Sequence, residues 1–166
     1  MIRQATPGDR EAISALHLAS WQDSYGAELT AAYMTDELPA AMRKKWAART
    51  FRAPELIIVA ETDGVLQGFV CAIAHEPMPL IDNLHIRPDL RGQGLGTKLL
   101  RVVRDALWVE GHDRAYLTVL ESNPDALAFY LANGGHDEGA VDDMLVGRPV
   151  RARRIGFDLQ TRRAMG

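Results

Sequence analysis

Apolar and polar residues follow two different periods along this chain, and the change between them separates the predicted helices from the predicted strands. Apolar residues recur at helical spacing over residues 12–19, which predicts a helix that ends at about Asp23. Residues 6–9, just before it, have the pattern of a capping box with proline at the first helical position. Two further helical pieces are predicted over residues 30–34 and 39–50.

From Leu56 onward the period becomes that of β-strands. An apolar run at residues 56–60 and a longer run at 65–74 flank Asp63 and Gly64, and this pattern predicts a β-hairpin. The other predicted elements are an edge strand at 1–5, a strand from Leu80, a helix from Leu95, a strand at 115–120, a helix at 126–133, and strands at 139–146 and 150–159 joined by a turn at 147–149. This order predicts an α/β (α+β) chain in which helices cover a mixed sheet.

The segment at residues 80–100 carries the clearest chemical signal. Its strand is broken by Pro88, and three glycines follow at positions 92, 94 and 96. A helix is predicted to begin at Leu95, between the last two of these glycines. A strand, a glycine-rich turn and a helix present free backbone N–H groups and the positive end of a helix dipole to an anion. Glycine lets a phosphate approach those amides closely. The segment therefore predicts a ligand that bears phosphate.

Three phosphate-binding motifs can be compared with this turn. A Walker A loop needs lysine before serine or threonine, whereas Thr97 precedes Lys98 here. A dinucleotide-binding fingerprint would place Thr97 where its final glycine belongs, in mid-chain rather than after the first strand. The run RGQGLG at residues 91–96, in contrast, resembles the Arg/Gln-x-x-Gly-x-Gly/Ala signature of the GNAT superfamily of N-acetyltransferases, whose turn binds the pyrophosphate of acetyl-coenzyme A.

A second motif strengthens this resemblance. The run SNPDALAFY follows a predicted strand about 30 residues after the glycine turn. GNAT proteins carry there an asparagine near the end of the fifth strand, then alanine, then Phe-Tyr before a glycine. Matching residues in this chain are Asn123, Ala126, Phe129, Tyr130 and Gly134. The aromatic residue that usually follows this glycine is replaced by glycine at position 135, which predicts looser packing behind the turn.

The resemblance implies a fold and an activity. The fold would be one domain over residues 1–166, with a mixed, mostly antiparallel sheet of about seven strands flanked by helices. The activity would be N-acetyltransfer from acetyl-coenzyme A, as co-substrate, to a primary amine by direct attack in a ternary complex. Two rivals are a non-catalytic acyl-coenzyme A sensor or interaction module on the same fold, and a dinucleotide-binding oxidoreductase.

The resemblance also implies which residues bind the cofactor. The pyrophosphate would be lined by the backbone amides of five successive residues, Gln93, Gly94, Leu95, Gly96 and Thr97. The side chain of Arg91 would add positive charge. Main-chain groups around Leu84 and Ile86 would pair with the pantetheine arm as an added strand does. Asn123 could hydrogen-bond the same arm or cap the following helix, and the two roles could coexist.

Catalysis needs a proton donor for the leaving thiolate and a proton acceptor for the amine. The resemblance makes Tyr130 the general acid, since a phenol with a pKa near 10 can protonate a thiolate with a pKa near 8.5. The competing interpretation is a tyrosine buried on a helix face beside Phe129. Candidates for the base are Asp82 and His85, which face opposite sides of a regular strand, together with Glu76 or a water chain.

Composition narrows the partners. The net charge of −3 argues against nucleic-acid binding, and the late arginines are interpreted as a solvated strand and tail. No apolar run is long enough to span a membrane, and no secretory leader is seen, so a cytoplasmic location is expected. The histidines lack zinc-like spacing, so no metal is predicted. Cys71 lies in an apolar run and is interpreted as a buried, inert thiol.

The acceptor is predicted only as a class, a small-molecule or peptide amine, and homodimerisation is implied by the resemblance alone. A pocket for it is expected near the early helices and the last two strands. Its candidate wall residues are aromatic, and its candidate residues for attracting a cationic amine are acidic. The aromatic candidates are Trp21, Tyr25, Tyr33 and Trp46, and the acidic candidates are Asp23, Glu28, Asp36 and Glu37.

Overall fold

The computed structural model describes residues 1–26, 29–74 and 77–160. Within these residues the helices are α1 (Arg10–Ser24), α2 (Leu38–Ala47), α3 (Leu95–Val109) and α4 (Pro124–Ala132). The strands are β1 (Ile2–Gln4), β2 (Glu55–Thr62), β3 (Val65–Ile73), β4 (Leu80–Ile86), β5 (Arg114–Leu120), β6 (His136–Leu145) and β7 (Arg148–Asp158). Short helical turns also lie at Pro7–Asp9, Tyr33–Glu37 and Pro88–Leu90.

The seven described strands form one mixed sheet in the order β1-β2-β3-β4-β5-β7-β6. Antiparallel pairs join β1 to β2, β2 to β3, β5 to β7 and β6 to β7. The pair β4 and β5 is parallel, with Leu80 opposite Tyr116. The predicted α/β class, with a mostly antiparallel sheet of about seven strands flanked by helices, is confirmed.

The chain forms two compact units. The first comprises Met1–Ile73 and Asn83–Val103, and the second comprises Ala74–Asp82 and Arg104–Gly166. In the first unit, Trp46 and Phe69 are fully buried and meet edge to face, with ring centroids 5.3 Å apart. Aromatic pairs in this geometry contribute about 0.5–1.5 kcal/mol beyond the area they bury. The interpretation of Trp46 as a core residue is confirmed.

The second unit has its core where β5 and β7 pair. Side chains alternate between the two faces of β5, so Leu117 is buried while Thr118 is exposed. On β7, Ile155 and Phe157 are fully buried. Gly135 lies against this core, and a Cβ built on it would stand 2.5 Å from Cγ2 of Ile155 and 2.8 Å from the carbonyl oxygen of Tyr130. The predicted looser packing at Gly135 is therefore wrong, because the backbone fits too closely there for any side chain.

The final hairpin also differs from its prediction. The turn predicted at 147–149 is shorter and earlier, because Val146 and Gly147 have φ angles of +51° and +72° and form a two-residue turn. Hairpin turns of type I′ need positive φ at both positions. Pro149 consequently lies within β7, opposite Met144 of β6. Proline cannot donate a ladder hydrogen bond and is therefore uncommon inside strands.

Candidate functional site

The glycine turn between β4 and α3 has an open backbone. Gly92 and Gly94 have φ angles of +79° and +84°, a left-handed conformation that other residues adopt at a cost of about 1–2 kcal/mol. A Cβ built on either residue meets no atom of the described chain within 4 Å. Conformation, rather than packing, thus requires glycine here, and no described atom fills the space next to these two residues.

The first turn of α3 supplies amides for this space. Its first closing hydrogen bond runs from the N–H of Lys98 to the carbonyl of Gly94, at 3.2 Å. The amides of Leu95, Gly96 and Thr97 therefore precede the first intrahelical donor and have no carbonyl one turn back to bind. A helix start of this kind stabilises an anion through its amides and its dipole. The arrangement fits the predicted phosphate site at residues 93–97.

Strand β4 leads into this turn along β3. The N–H of Arg87 donates to the carbonyl of Gln67 at 2.9 Å. A Cβ on Gly68 would stand 2.6 Å from Cδ1 of Ile86 and 3.1 Å from the carbonyl oxygen of His85, so the close approach of β4 requires glycine at this position. Ile86 is half-buried, and so is Leu84 two residues earlier. Pairing of this backbone with a pantetheine arm stays a prediction.

Arg91 begins the glycine motif, and its side chain is directed to the last turns of α1. Its guanidinium forms an ion pair with Asp23 and donates to the hydroxyls of Ser20 at 3.2 Å and Ser24 at 3.4 Å. The sequence predicted that Arg91 adds charge to the phosphate site. It also placed Asp23 among the carboxylates that could attract an amine. In this structure each of the two charges has the other as its partner.

His85 is half-buried and joins a polar cluster in the first unit with Ser20 and His17, which are both buried. Its Nδ1 lies 2.8 Å from the hydroxyl oxygen of Ser20. Its ring stands 4.4 Å from that of His17, measured between centroids. The indole N–H of Trp46 donates to Nδ1 of His17 at 3.0 Å, so the proton of neutral His17 sits on Nε2, which has no hydrogen-bond partner among the described residues.

Both imidazoles are held neutral. Burial lowers the pKa of His85 to about 3, with further lowering by the positive charges of Lys45 and Arg91. Burial also lowers the pKa of His17, with smaller contributions from His85, Lys45 and Arg49. The charged form of a buried imidazole loses its hydration, which is why burial acts in this direction. His85 is therefore a weak proton acceptor in this environment.

The other two candidates for the base are less defined. Asp82 is half-buried on β4, where it interacts with another group of the protein. Glu76 lies outside the described residues, as does Glu28 of the predicted acceptor pocket. The assignment of the base stays a prediction.

Helix α4 carries the second motif. The side-chain oxygen of Asn123 accepts a hydrogen bond from the N–H of Ala126 at 3.2 Å, so its predicted helix-capping role is confirmed. Tyr130 is half-buried, and its ring packs edge to face with Phe129, 5.2 Å between centroids, and with Phe157, 6.5 Å away. A pantetheine contact for Asn123 and an acid role for Tyr130 stay predictions.

Sequence reasoning missed Ser20 and His17. Both lie on α1, and they are buried together with Ile13 and Leu16 on its inner face. A signal for them exists, because two polar residues interrupt a stripe of apolar ones at helical spacing. The distance along the chain, 65 residues from Ser20 to His85, hides their partner from any local pattern.

Two arginines of the last strand and the single cysteine have surroundings that fit a structural role. Arginines of β7 pair with carboxylates of β6, as in Arg151 with Asp142 at 2.8 Å and Arg153 with Asp137 at 3.0 Å. Cys71 is fully buried, so its interpretation as a buried thiol is confirmed.

Across the described residues, no group of three or more His, Cys, Asp or Glu side chains is placed to hold a metal ion. No described helix is both long and apolar enough to cross a membrane.

Comparison with known proteins gives a consistent result. Thialysine N-epsilon-acetyltransferase of Bos taurus is 32% identical over 57 residues, which is 34% of each chain, so the match spans about a third of that protein. Among solved structures, the PaiA N-acetyltransferase of Thermoplasma acidophilum in complex with coenzyme A superposes with a TM-score of 0.77 at 18% identity, covering 95% of this chain and 98% of that one. A GCN5-related N-acetyltransferase structure from Rhodopseudomonas palustris gives 0.76 at 21%, covering 95% and 94%.

The comparison with a family model identifies the family of this chain, which the pairwise matches do not. The two solved structures show a shared fold. The model of the acetyltransferase (GNAT) family matches residues 18–135, a range that includes the glycine turn and α4. This chain belongs to the GNAT family of acetyltransferases.

Proposed function

We propose that this chain transfers the acetyl group of acetyl-coenzyme A to a primary amine by direct attack within a ternary complex. The observation that carries the proposal is the open glycine turn at the start of α3, in a chain of the GNAT family. In the space above Gly92 and Gly94, a phosphate meets backbone amides rather than side chains.

The cofactor is proposed to bind through main-chain groups. The amides of residues 93–97 hold the pyrophosphate, and the helix dipole adds about 0.3–2 kcal/mol to that contact. The backbone around Leu84 and Ile86 pairs with the pantetheine arm, and Asn123 contributes a hydrogen bond if its capping oxygen can be shared. The structure of PaiA N-acetyltransferase contains coenzyme A, which supports this ligand for a chain of the same fold.

Tyr130 is proposed as the general acid. When the amine attacks the thioester carbonyl and the tetrahedral intermediate collapses, the carbon–sulfur bond breaks and the thiolate leaves. A phenol is protonated at neutral pH and can give its proton to that sulfur. General-acid assistance of this kind typically contributes about 10²–10⁴-fold to the rate. Support for this role comes from the position of Tyr130 in the second motif and from its incomplete burial.

The amine must lose a proton before or during its attack. An alkylammonium has a pKa of about 10.4, whereas that of His85 is lowered to about 3. This low pKa disfavours His85 as the acceptor of the proton, so Asp82 is proposed in its place, with a water chain as the alternative. Asp82→Asn tests this directly: it should lower turnover more at pH 6 than at pH 9, where more of the amine arrives neutral.

The acceptor is proposed to be a small or peptide-borne primary amine. The name of the bovine relative, thialysine N-epsilon-acetyltransferase, is consistent with an amine of lysine-like shape. A thiol-release assay over polyamines, amino acids, aminoglycosides and peptides, followed by mass spectrometry of the product, tests the reaction. An amine-dependent mass increase of one acetyl group supports it. Binding of coenzyme A without turnover on any of these amines would favour the acyl-coenzyme A sensor instead.

A further inference from the structure

We propose that Arg91 joins the glycine turn to α1, and that Asp23 and Ser20 are positioning residues that set this turn for the cofactor. The three side chains together are called the Arg91 bridge below. The inference rests on the proposed function, because it concerns the turn proposed to bind the pyrophosphate. It assigns Arg91 a role different from that of a phosphate ligand.

The first observation is the set of partners that Arg91 has. Among the described residues, its ion pair with Asp23 and its hydrogen bonds to Ser20 and Ser24 all lie on one helix. These residues are at positions 20, 23 and 24, which share one face of α1 near its end. The guanidinium is planar and its donors point in fixed directions, so several aligned acceptors hold it in one orientation.

The second observation is that Gly92 and Gly94 give the turn no side chain of their own with which to pack. A Cβ on either glycine would meet no atom of the described structure within 4 Å, so no neighbouring side chain packs at these two positions. Glycine also gives the backbone more conformational freedom to lose on ordering than any other residue. The side chain immediately before Gly92 is therefore the anchor best placed to order the turn before the cofactor arrives. A pre-ordered site binds more tightly because less entropy is lost on binding.

The third observation extends the bridge to β4. Ser20 has one hydroxyl proton, and of its two partners the guanidinium of Arg91 can only donate. The proton of Ser20 thus goes to Nδ1 of His85, which places the proton of neutral His85 on Nε2. The bridge therefore links α1, the glycine turn and the strand whose backbone is proposed to meet the pantetheine arm.

The two roles of Arg91 give opposite signs for one substitution. If Arg91 positions the turn, then Asp23→Asn loosens the bridge and weakens coenzyme A binding. If Arg91 instead binds phosphate directly, Asp23 competes with the phosphate for it, and Asp23→Asn strengthens binding. Loss of a negative charge near an anionic cofactor acts in this second direction as well. A weaker affinity of the variant would thus be opposite to the simple charge effect.

The experiment is a double-mutant cycle read by calorimetric titration with coenzyme A. Asp23→Asn and Arg91→Gln should each raise Kd by about 1.5- to 5-fold, as expected for an exposed ion pair, and the double variant should bind no worse than Arg91→Gln alone. Glu11→Gln removes an exposed carboxylate from the same helix and should leave Kd unchanged. Tighter binding by Asp23→Asn, or additive effects in the double variant, would overturn the proposal.

A spectroscopic readout separates the bridge from the proposed function. In ¹H–¹⁵N spectra of the imidazoles, assigned with His85→Gln, Nδ1 of His85 should appear unprotonated in the wild-type protein. Ser20→Ala and Arg91→Gln should shift that signal, and Ser20→Thr should restore it because the hydroxyl returns. These spectra need no cofactor. If the wild-type protein fails to bind coenzyme A, the proposed function is refuted, and the spectra still test the bridge. A protonated Nδ1, or a signal that Arg91→Gln leaves unmoved, would overturn the bridge itself.

Discussion

The histidines His17 and His85, the first fully buried and the second half-buried, should make the fold less stable as the pH falls below neutrality. In the folded chain both pKa values are lowered, mainly by burial, so both rings stay neutral down to about pH 5. In the unfolded chain each ring titrates near the ordinary value of 6.5. Below that pH the unfolded state therefore binds more protons than the folded state, and stability is lost as the pH is lowered.

The magnitude follows from linkage. Each histidine that is charged only in the unfolded state lowers the free energy of unfolding by about 1.4 kcal/mol per pH unit below its unfolded pKa. Between pH 6.5 and pH 5 this amounts to about 2 kcal/mol for each ring, or about 4 kcal/mol for the pair. A lower limit of pH 5 leaves out most of the effect of carboxylates such as Asp9, whose pKa is lowered by Arg3.

The assay is urea unfolding at half-unit steps from pH 7.5 to pH 5. In His85→Gln the slope of unfolding free energy against pH should fall to about half of its wild-type value, whatever the variant's absolute stability. The matched control is His136→Gln, which replaces an exposed histidine and should keep the wild-type slope. A flat wild-type profile, or an unchanged slope in His85→Gln, would refute the claim that the imidazoles of His17 and His85 are held neutral where α1 meets β4.

Two further substitutions test single positions. Tyr130→Phe should lower turnover by about 10²–10⁴-fold with little change in coenzyme A affinity, while Tyr116→Phe stays near wild type; full turnover in Tyr130→Phe would remove its role as the acid. Gly135→Ala should destabilise the fold by about 1–3 kcal/mol in urea unfolding, because its Cβ would stand 2.5 Å from a side-chain carbon of Ile155. Gly8→Ala, whose Cβ would meet only an ordinary contact at 3.6 Å, should be near neutral, and equal effects of the two alanines would contradict this packing argument.

The fold could be predicted because its signals are local. The helical period near Leu16 and the strand period from Leu56 locate α1 and β2, and the glycines before Leu95 mark the turn. The helix cap at Asn123 is local as well, since it joins residues three apart. Such patterns depend on dihedral angles and on neighbours within one or two turns, so they can be read from sequence alone.

The contacts of the candidate site could not be predicted in the same way. Arg91 meets Asp23, 68 residues away, only because the turn and α1 pack together. The same reason hid the packing of Gly135, whose close neighbour Ile155 arrives from a later strand. A sequence motif names the residue type that a backbone conformation needs, whereas the partner of its side chain depends on the packing of distant segments.

The most direct test of the account is calorimetric titration of coenzyme A into the wild-type protein and Gly94→Glu, with Gly64→Glu as the control. The two glycines are matched, since both have positive φ, +84° and +78°, and neither has an atom of the described chain within 4 Å of a built Cβ. Backbone strain is thus similar in both variants, and only Gly94→Glu places a carboxylate over the turn. The account predicts binding by wild type and Gly64→Glu and none by Gly94→Glu. Equal binding by all three proteins, or none by wild type, would contradict the claim that this turn holds the cofactor.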